Sequence, residues 1–527
     1  MQLSILASLF HRLFYSSRNK RLTLIILFLL LGLAVKSCAY RDFGAVVSSI
    51  NEDDHPQEPT IKATLTETSR PLNAKLACFN VNSVTIPSWR DRDLGNIVQQ
   101  LNAKILRLPG GTVANYWDWR RGGIIEDTTS LPKGLPNFLK YKARRYQASR
   151  LEDIQTGLKL SNTEPIFVLN MLTSNLNSQI EMLKRASELG MKVKYIELGN
   201  EFYFNIRNYK KFFPTPQDYA AKAKLWITAI KQEFPQSEIS VVGVVPETDK
   251  PKRLQYWNKH LLNQVADISD AVSLHIYESH GLESRVAPKL KYPFFESEEV
   301  STILGEPFRI WQITQERDAY QLIPDEMNLW ITEYNFIEKA TVPGHNFDRR
   351  VTGSWAHGLY ALEMALLFLE DQRIKVICNH SLLGNPMFQA VYADELSGNI
   401  NSSSPFKLSA TGLVLQLFNE SIEGMSNARK IDFSQDLQLV GKDNYSYPAL
   451  YGWLFDNSVE QRALIVNLSD QVVNLNMEGL MSQGIKYEML HATPRTLVKS
   501  TRSVKRKQGN INKTFKLSPY AIAKFSG

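Results

Sequence analysis

Between residues 75 and 379 eight short, almost continuously apolar runs recur: "KLACFNV" (75–81), "KILRL" (104–108), "PIFVLN" (165–170), "VKYIEL" (193–198), "ISVVGVV" (239–245), "AVSLHIY" (271–277), "MNLWIT" (327–332) and "IKVICN" (374–379). A strand without polar alternation has to be covered on both faces, as in a parallel sheet flanked by helices. The stretches between them supply those helices. "NSQIEMLKRASEL" (177–189), "PQDYAAKAKLWITAIKQEF" (216–234) and "SWAHGLYALEMALLFLED" (354–371) repeat apolar residues at spacings of three and four. Eight β/α units over about 340 residues fit an α/β fold closed as a (β/α)8 TIM barrel with insertions. An open doubly wound sheet needs only five or six strands.

After "SATGLVLQLFNES" (409–421), the expected last barrel helix, the pattern changes. "YPALYGWLFDN", "QRALIVNLSDQVVNLNM" and "NKTFKLSPYAIAKF" alternate in the manner of half-buried strands and are separated by Asn, Asp, Ser and Gly. That predicts an appended C-terminal antiparallel β-sandwich over 426–527, behind a barrel over 75–425. "TIKATLTET" (60–68) has the same character, so residues 61–74 are expected to add a strand to the sandwich.

At the other end, His11, Arg12, Arg18, Lys20 and Arg21 precede the apolar run "LTLIILFLLLGLAV" (22–35). A basic segment followed by a hydrophobic one is the layout of an export signal. Fourteen residues fall short of the roughly twenty a bilayer span needs. Residues 1–40 are therefore expected to be an export signal, cleaved after "SCA" (37–39). An uncleaved membrane anchor, lipid attachment at Cys38 and a helix buried in the fold are the alternatives. Residues 41–60, polar, acidic and Pro-containing, read as a linker. The expectation is a secreted or membrane-anchored protein working outside the cytoplasm, with membrane contact if the segment is retained.

With three cysteines, Cys38, Cys78 and Cys378, neither a disulfide framework nor a thiolate metal cluster can be built. Cys78 and Cys378 fall on the first and eighth strands, neighbours in a barrel, where two buried free thiols are expected over a bridge. No phosphate-binding glycine loop is present, "PGG" (109–111) being too short. No cofactor, no metal and no nucleic-acid partner are expected. The net charge of +8 permits anionic partners, although a diffuse excess usually serves solubility.

The chemistry is suggested by where two strands end. "YIELGNEFYF" (195–204) delivers Glu201 just past the fourth run, and "NLWITEYNF" (328–336) delivers Glu333 just past the seventh. In a barrel of this kind the C-terminal ends of the strands carry the active site. Two opposed carboxylates there suit cleavage of a glycosidic bond, in which one donates a proton to the leaving oxygen and the other attacks or stabilises the reacting carbon. Their environments must then differ, so that one has a raised and the other a low pKa. Asn200 is placed to bond the sugar hydroxyl next to that carbon.

On these residues the chain resembles a clan A retaining glycoside hydrolase, through "GNE" at 199–201 and the strand-seven glutamate in "ITEYN". "ILRLPGGTVANYWDWRRGGI" (105–124) is similar to the strand-two segment of the α-L-arabinofuranosidases, and a barrel with an appended sandwich is shared with the heparanase and β-glucuronidase group. The resemblance implies Glu201 as acid/base, Glu333 as nucleophile and Asn200 as partner of the 2-hydroxyl. It also aligns His275 and Tyr277 of "SLHIYE" with the clan's strand six, the tyrosine bonding the nucleophile. Arg107, ending strand two, is expected to hold the nucleophile ionised, to form a structural ion pair, or both. Asn115, Trp117 and Trp119 follow the glycine pair as candidate sugar contacts, at least one aromatic stacking on a ring. His380, ending strand eight, is another candidate.

The substrate is accordingly expected to be a polysaccharide or oligosaccharide. "KYKARRYQASR" (140–150), with five basic residues, would favour an anionic polymer, whereas the likeness around "LRLPGG" leans toward neutral arabinosyl or xylosyl units. The alternative of a different class is a noncatalytic glycan-binding or scaffold protein that retains the barrel.

Overall fold

The computed structural model describes residues 60–72, 76–83, 86–125, 148–245, 256–278, 297–336, 351–383, 389–393, 406–481, 484–498 and 503–527. The apolar run at 22–35, the linker up to residue 59 and the basic segment up to residue 147 lie outside them. Among the described residues no helix is long and apolar enough to cross a membrane.

Eight parallel strands close into a barrel: Ala77–Asn80, Ile105–Leu108, Glu164–Val168, Tyr195–Glu197, Glu238–Val242, Ala271–Glu278, Asn328–Phe336 and Ile374–His380. They are called barrel strands one to eight below. Each corresponds to one of the eight apolar runs, and the chain is a TIM barrel. Polar residues start the surrounding helices by accepting backbone N–H groups left free in the first turn. Asp91, Asn175, Thr215, Ser354 and Ser409 do so for Arg92–Gln100, Leu176–Glu188, Pro216–Glu233, Trp355–Leu367 and Ala410–Ile422. At Thr215 the contact is reciprocal, with Asp218 bonding back to the Thr215 backbone and Pro216 in the first turn.

The barrel is filled, not hollow. Cys78, Ile105, Ile166, Tyr195, Ala271, Trp330, Val376 and Cys378 pack together as one buried cluster drawn from seven of the strands. Within it Cys78 and Cys378 are joined by a disulfide across 300 residues of chain, which corrects the expectation of free thiols. Strands one and eight pair with Cys78 directly opposite Cys378, and both residues belong to the same lumen cluster, so the two sulfurs meet.

The appended region is a β-sandwich built from a nine-stranded sheet. Thr60–Pro71 pairs antiparallel with Asn427–Phe433 along most of its length and parallel with Val473–Asn476 at its start. It thus carries the chain from one layer to the other. Ile61, Ala63, Ile431, Leu454, Ile465, Val473, Leu475, Phe515 and Phe525 form a separate core between the layers. Trp355, opening a barrel helix, ties the two parts together by donating its Nε1–H to the Tyr520 carbonyl at 2.7 Å.

Candidate active site

Past barrel strand four the backbone turns sharply. Gly199 has φ +92°, and a Cβ there would lie 2.0 Å from the Phe202 ring, so only glycine fits. Glu201 is itself in the left-handed region at φ 54°, an uncommon conformation for a residue with a side chain. The turn is held from both sides. Phe202 is buried among Tyr209, Phe213 and Tyr219, with centroids 4.7 to 5.6 Å away, which is the physical use of the aromatics around "NEFYF". Asn115 reads the Asn200 backbone as a neighbouring strand would, donating Nδ2–H to its carbonyl at 2.7 Å and accepting its N–H at 3.2 Å.

Barrel strand seven reaches its carboxylate by a bulge. Ile331 lies opposite Leu274 and Glu333 opposite His275, so Thr332 has no counterpart on strand six. Simple alternation would send Thr332 inward after Trp330 and Glu333 outward. The extra residue lets both reach the lumen, where Thr332 Oγ1 meets Glu197 at 3.1 Å and Glu333 faces Arg107.

The two carboxylates come together. Glu201 and Glu333 each present an oxygen, and His275 a ring nitrogen, all within 4.8 Å of one another. Glu333 Oε1 accepts from Arg107 Nη1 at 2.7 Å and Asn80 Nδ2 at 3.3 Å, and its Oε2 accepts from the Tyr277 hydroxyl at 2.6 Å. Glu201 Oε1 faces His275 Nδ1 at 3.0 Å and the Tyr203 hydroxyl at 3.4 Å, and its Oε2 accepts from Asn200 Nδ2 at 3.3 Å. The Glu333 side chain is 5% exposed and that of Glu201 15%, so Glu201 is the one with better access to water.

Electrostatics hold Glu333 ionised. Burial alone would raise the pKa of Glu333, but His275, His380, Arg107 and the Tyr277 hydrogen bond outweigh it and hold the carboxyl down at about 2. Burial opposes the charge of His275 too, yet Glu333 and the bond to Glu201 raise its pKa. For His380 burial wins and the pKa falls. Arg107, fully buried, is kept protonated by Glu197 and Glu333 against the desolvation that would lower it. The spacing of Glu201, His275 and Glu333 would also suit a metal ion. However, both Glu333 oxygens already accept hydrogen bonds, and the guanidinium 2.7 Å from Oε1 would repel a cation.

Of the residues singled out by sequence, Glu201, Glu333, Asn200, Arg107, His275, Tyr277 and His380 lie in one hydrogen-bonded group. His380 Nδ1 is 3.6 Å from Glu333 Oε2 and accepts from Asn80 Nδ2. Asn115 is a correction: it is fully buried and its amide is committed to the Asn200 backbone and the Tyr209 hydroxyl, so it clamps the loop instead of reaching a ligand. Trp117 is another, since at 2% exposure it is part of the hydrophobic core and offers no ring face. Trp119 is half-buried, with Nε1 on Ser178 and the Arg120 guanidinium 4.4 Å from its ring centre. Trp330, three residues before Glu333, is core.

Asn80 and Glu197 are members of the group that were missed. The signal was parity: Asn80 stands two residues after Cys78 and Glu197 two after Tyr195, each on the inward face near a strand's C-terminal end. The glycine pair has a place as well. A Cβ on Gly110 would strike Asn80 Oδ1 at 2.0 Å, and one on Gly111, at φ +67°, would lie 3.8 Å from both Glu333 and His380.

No family model matches the chain. It is 24% identical over 317 residues to an intracellular exo-α-(1→5)-L-arabinofuranosidase of Acetivibrio thermocellus, covering 55% of this chain and 60% of that protein. To a probable α-L-arabinofuranosidase C of Aspergillus clavatus it is 23% identical over 45% of this chain and 50% of the other. The chain thus spans about half the length of the curated relatives it matches. Among solved structures, a family 51 α-L-arabinofuranosidase from Bifidobacterium longum superposes with a TM-score of 0.67 at 13% identity, covering 89% of this chain and 99% of the other. A 4-O-α-L-rhamnosyl-β-D-glucuronidase from Fusarium oxysporum gives 0.58 at 12% identity, with 88% and 100% covered. These likenesses carry the barrel and sandwich over most of the chain and the sequence over about half of it, and by both this protein is similar to the clan A glycoside hydrolases of the arabinofuranosidase group.

Proposed function

We propose that the protein is an exported retaining glycoside hydrolase that cleaves O-glycosidic bonds of an oligosaccharide or polysaccharide by double displacement. One observation carries the reading: the Glu201 and Glu333 carboxylates approach within 4.8 Å in contrasting surroundings. Retaining enzymes hold their two carboxyls roughly 5–5.5 Å apart, and inverting ones leave a wider gap for water.

Glu333, ionised and oriented by Arg107 and Tyr277, attacks the anomeric carbon. The bond from that carbon to the leaving oxygen breaks, and the leaving oxygen takes the proton of Glu201. In the second half Glu201 removes a proton from water, the water oxygen bonds the anomeric carbon, and Glu333 leaves as carboxylate. His275, 3.0 Å from Glu201, holds the acid/base between turns. Asn200 offers its amide to the neighbouring hydroxyl, and His380 borders the same space. Trp119 is left as a more distant sugar contact.

The named relatives favour an α-L-arabinofuranosyl substrate. The glucuronidase among the fold neighbours and the basic segment at 140–150 keep a uronate-containing polymer as the second choice. Export is supported by the basic-then-apolar order of residues 11–35 and by the buried disulfide, a bond favoured in oxidising compartments. Membrane contact through the apolar run follows if it is retained.

The test is to incubate the protein with 2-fluoro glycosides bearing arabinosyl, xylosyl, glucosyl and glucuronyl groups, then weigh it intact and map the adduct. A covalent sugar on Glu333 is expected, from the arabinosyl reagent first. Turnover without an adduct on Glu333 would overturn the mechanism, and neither turnover nor adduct would leave the glycan-binding alternative.

A further inference from the structure

Arg107 has five N–H groups, and each has an acceptor. Nη1 donates to Asn80 Oδ1 and Glu333 Oε1, both at 2.7 Å. Nη2 donates to Asn200 Oδ1 at 2.8 Å and Glu197 Oε1 at 3.2 Å, and Nε donates to Glu197 Oε2 at 2.5 Å. The Nε–Nη2 edge of the guanidinium is therefore clasped by both oxygens of Glu197, and the remaining N–H groups go to Asn200 from Nη2 and to Asn80 and Glu333 from Nη1. Glu197 is itself fixed, being fully buried on barrel strand four with its Oε1 also accepting from Thr332 Oγ1 at 3.1 Å.

We infer that Glu197 is a positioning residue for the reaction, aligning Arg107 so that one planar group sets Glu333 and Asn200 at the same time. A guanidinium is rigid and flat, so fixing its Nε–Nη2 edge fixes the direction of every remaining N–H. Without that clasp Arg107 can rotate about its last bond, and Glu333 and Asn200 lose their common reference. Glu197 also balances charge. Between two carboxylates, Arg107 neutralises Glu333 only in part, which leaves the latter ionised but still nucleophilic. Thr332 enters the same device through the bulge on strand seven: the residue that lets Glu333 turn inward is the one whose hydroxyl steadies Glu197.

This inference rests on Glu333 as the nucleophile, and the experiment separates the two. Steady-state kinetics and the rate of covalent labelling by the reactive 2-fluoro glycoside are measured for wild type, Glu197→Gln and Thr332→Val, with melting temperatures alongside. Glu197→Gln is expected to lower kcat and the labelling rate together by about 10- to 100-fold, as misplacement of a reacting group does, with KM within about threefold. Thr332→Val, which removes one hydrogen bond, is expected to cost about 3- to 10-fold in the same two rates. A Glu197→Gln protein that melts lower yet keeps the wild-type kcat and labelling rate would make the pair purely structural and overturn the inference. If that variant does not fold, Thr332→Val decides, and unchanged rates there overturn it equally. Failure of wild type to turn over or to be labelled at Glu333 would instead count against the glycosidase reading.

Discussion

The barrel lumen holds two layers of side chains that differ completely although the same strands supply them. In one, Cys78, Ile105, Tyr195, Trp330, Val376 and Cys378 pack without a charge. Two residues farther along, or three across the bulge, the same strands present Asn80, Arg107, Glu197, Glu333 and His380, nearly all of them hydrogen-bonded to one another. The first layer gains its stability from burial and close packing. The second pays desolvation for every charge and recovers it only because each has a partner. What the contrast teaches is that the apolar layer lets the polar one exist: it fixes the strands rigidly enough for an arginine to meet five acceptors at once.

The largest effect should come from breaking the polar layer at the carboxylate proposed as nucleophile. Glu333→Gln is expected to reduce turnover by roughly 10⁴- to 10⁶-fold, the scale on which removal of a nucleophile acts. The fold should survive, because Arg107 retains Glu197 as a charged partner and the glutamine oxygen can still accept from Nη1. Circular dichroism and a thermal melt check the fold, and hydrolysis of an aryl glycoside checks the rate. Turnover within tenfold of wild type would dissolve the functional distinction between the layers.

How much of this was legible beforehand follows from the same division. The eight apolar runs pointed to the barrel because a strand apolar on both faces needs helices on one side and a packed lumen on the other. Both "GNE" and "ITEYN" could be located at strand ends by counting. Glu197 was hidden in plain view. In "YIEL" it looks like one polar residue in a strand, and only knowing that Tyr195 points inward reveals that Glu197 must do so too. The bulge at Thr332 was beyond reach, since it emerges only when strands six and seven are paired residue by residue. Trp117 misled for a general reason: an aromatic beside a glycine turn has the composition of a ligand surface whether its ring faces the cleft or the core. The disulfide needed the register of two strands 300 residues apart.

That disulfide offers the converse test, on the apolar layer. A cross-link closing so long a loop restricts the unfolded chain strongly, and removing one of this kind typically costs about 2–5 kcal/mol. The double substitution Cys78→Ala and Cys378→Ala is expected to lower stability by about 4 kcal/mol, toward the upper part of that range because 300 residues are enclosed. Turnover per folded molecule should stay within about fivefold, since no atom of the pair belongs to the polar network. Urea denaturation and kinetics on the same preparation measure both. A loss of activity far exceeding the loss of folded protein would show that the layers are not separable and that the seam between strands one and eight aligns Asn80 and His380 directly.

The smallest effect is one that pH alone should produce. Glu333 is held at about 2 in the folded protein against an ordinary value of 4.5. A carboxyl depressed on folding contributes stability that is complete above its unfolded pKa and is lost as pH falls through the folded one. The window is therefore pH 4.5 down to 2, and a shift of this size corresponds to about 3 kcal/mol at most, at roughly 1.4 kcal/mol per unit. Other carboxyls titrate in the same range, so the useful quantity is a difference. Wild type and Glu333→Gln should be compared by urea denaturation at intervals between about pH 6 and about pH 2.5. Wild type is expected to lose more stability on acidification, and the two midpoints should move relative to each other as pH falls through about 4.5 toward 2.5. Parallel curves would mean that Glu333 gains nothing from Arg107, His275 and His380 on folding, and the polar layer would then owe its ionisation state to substrate instead of to the barrel.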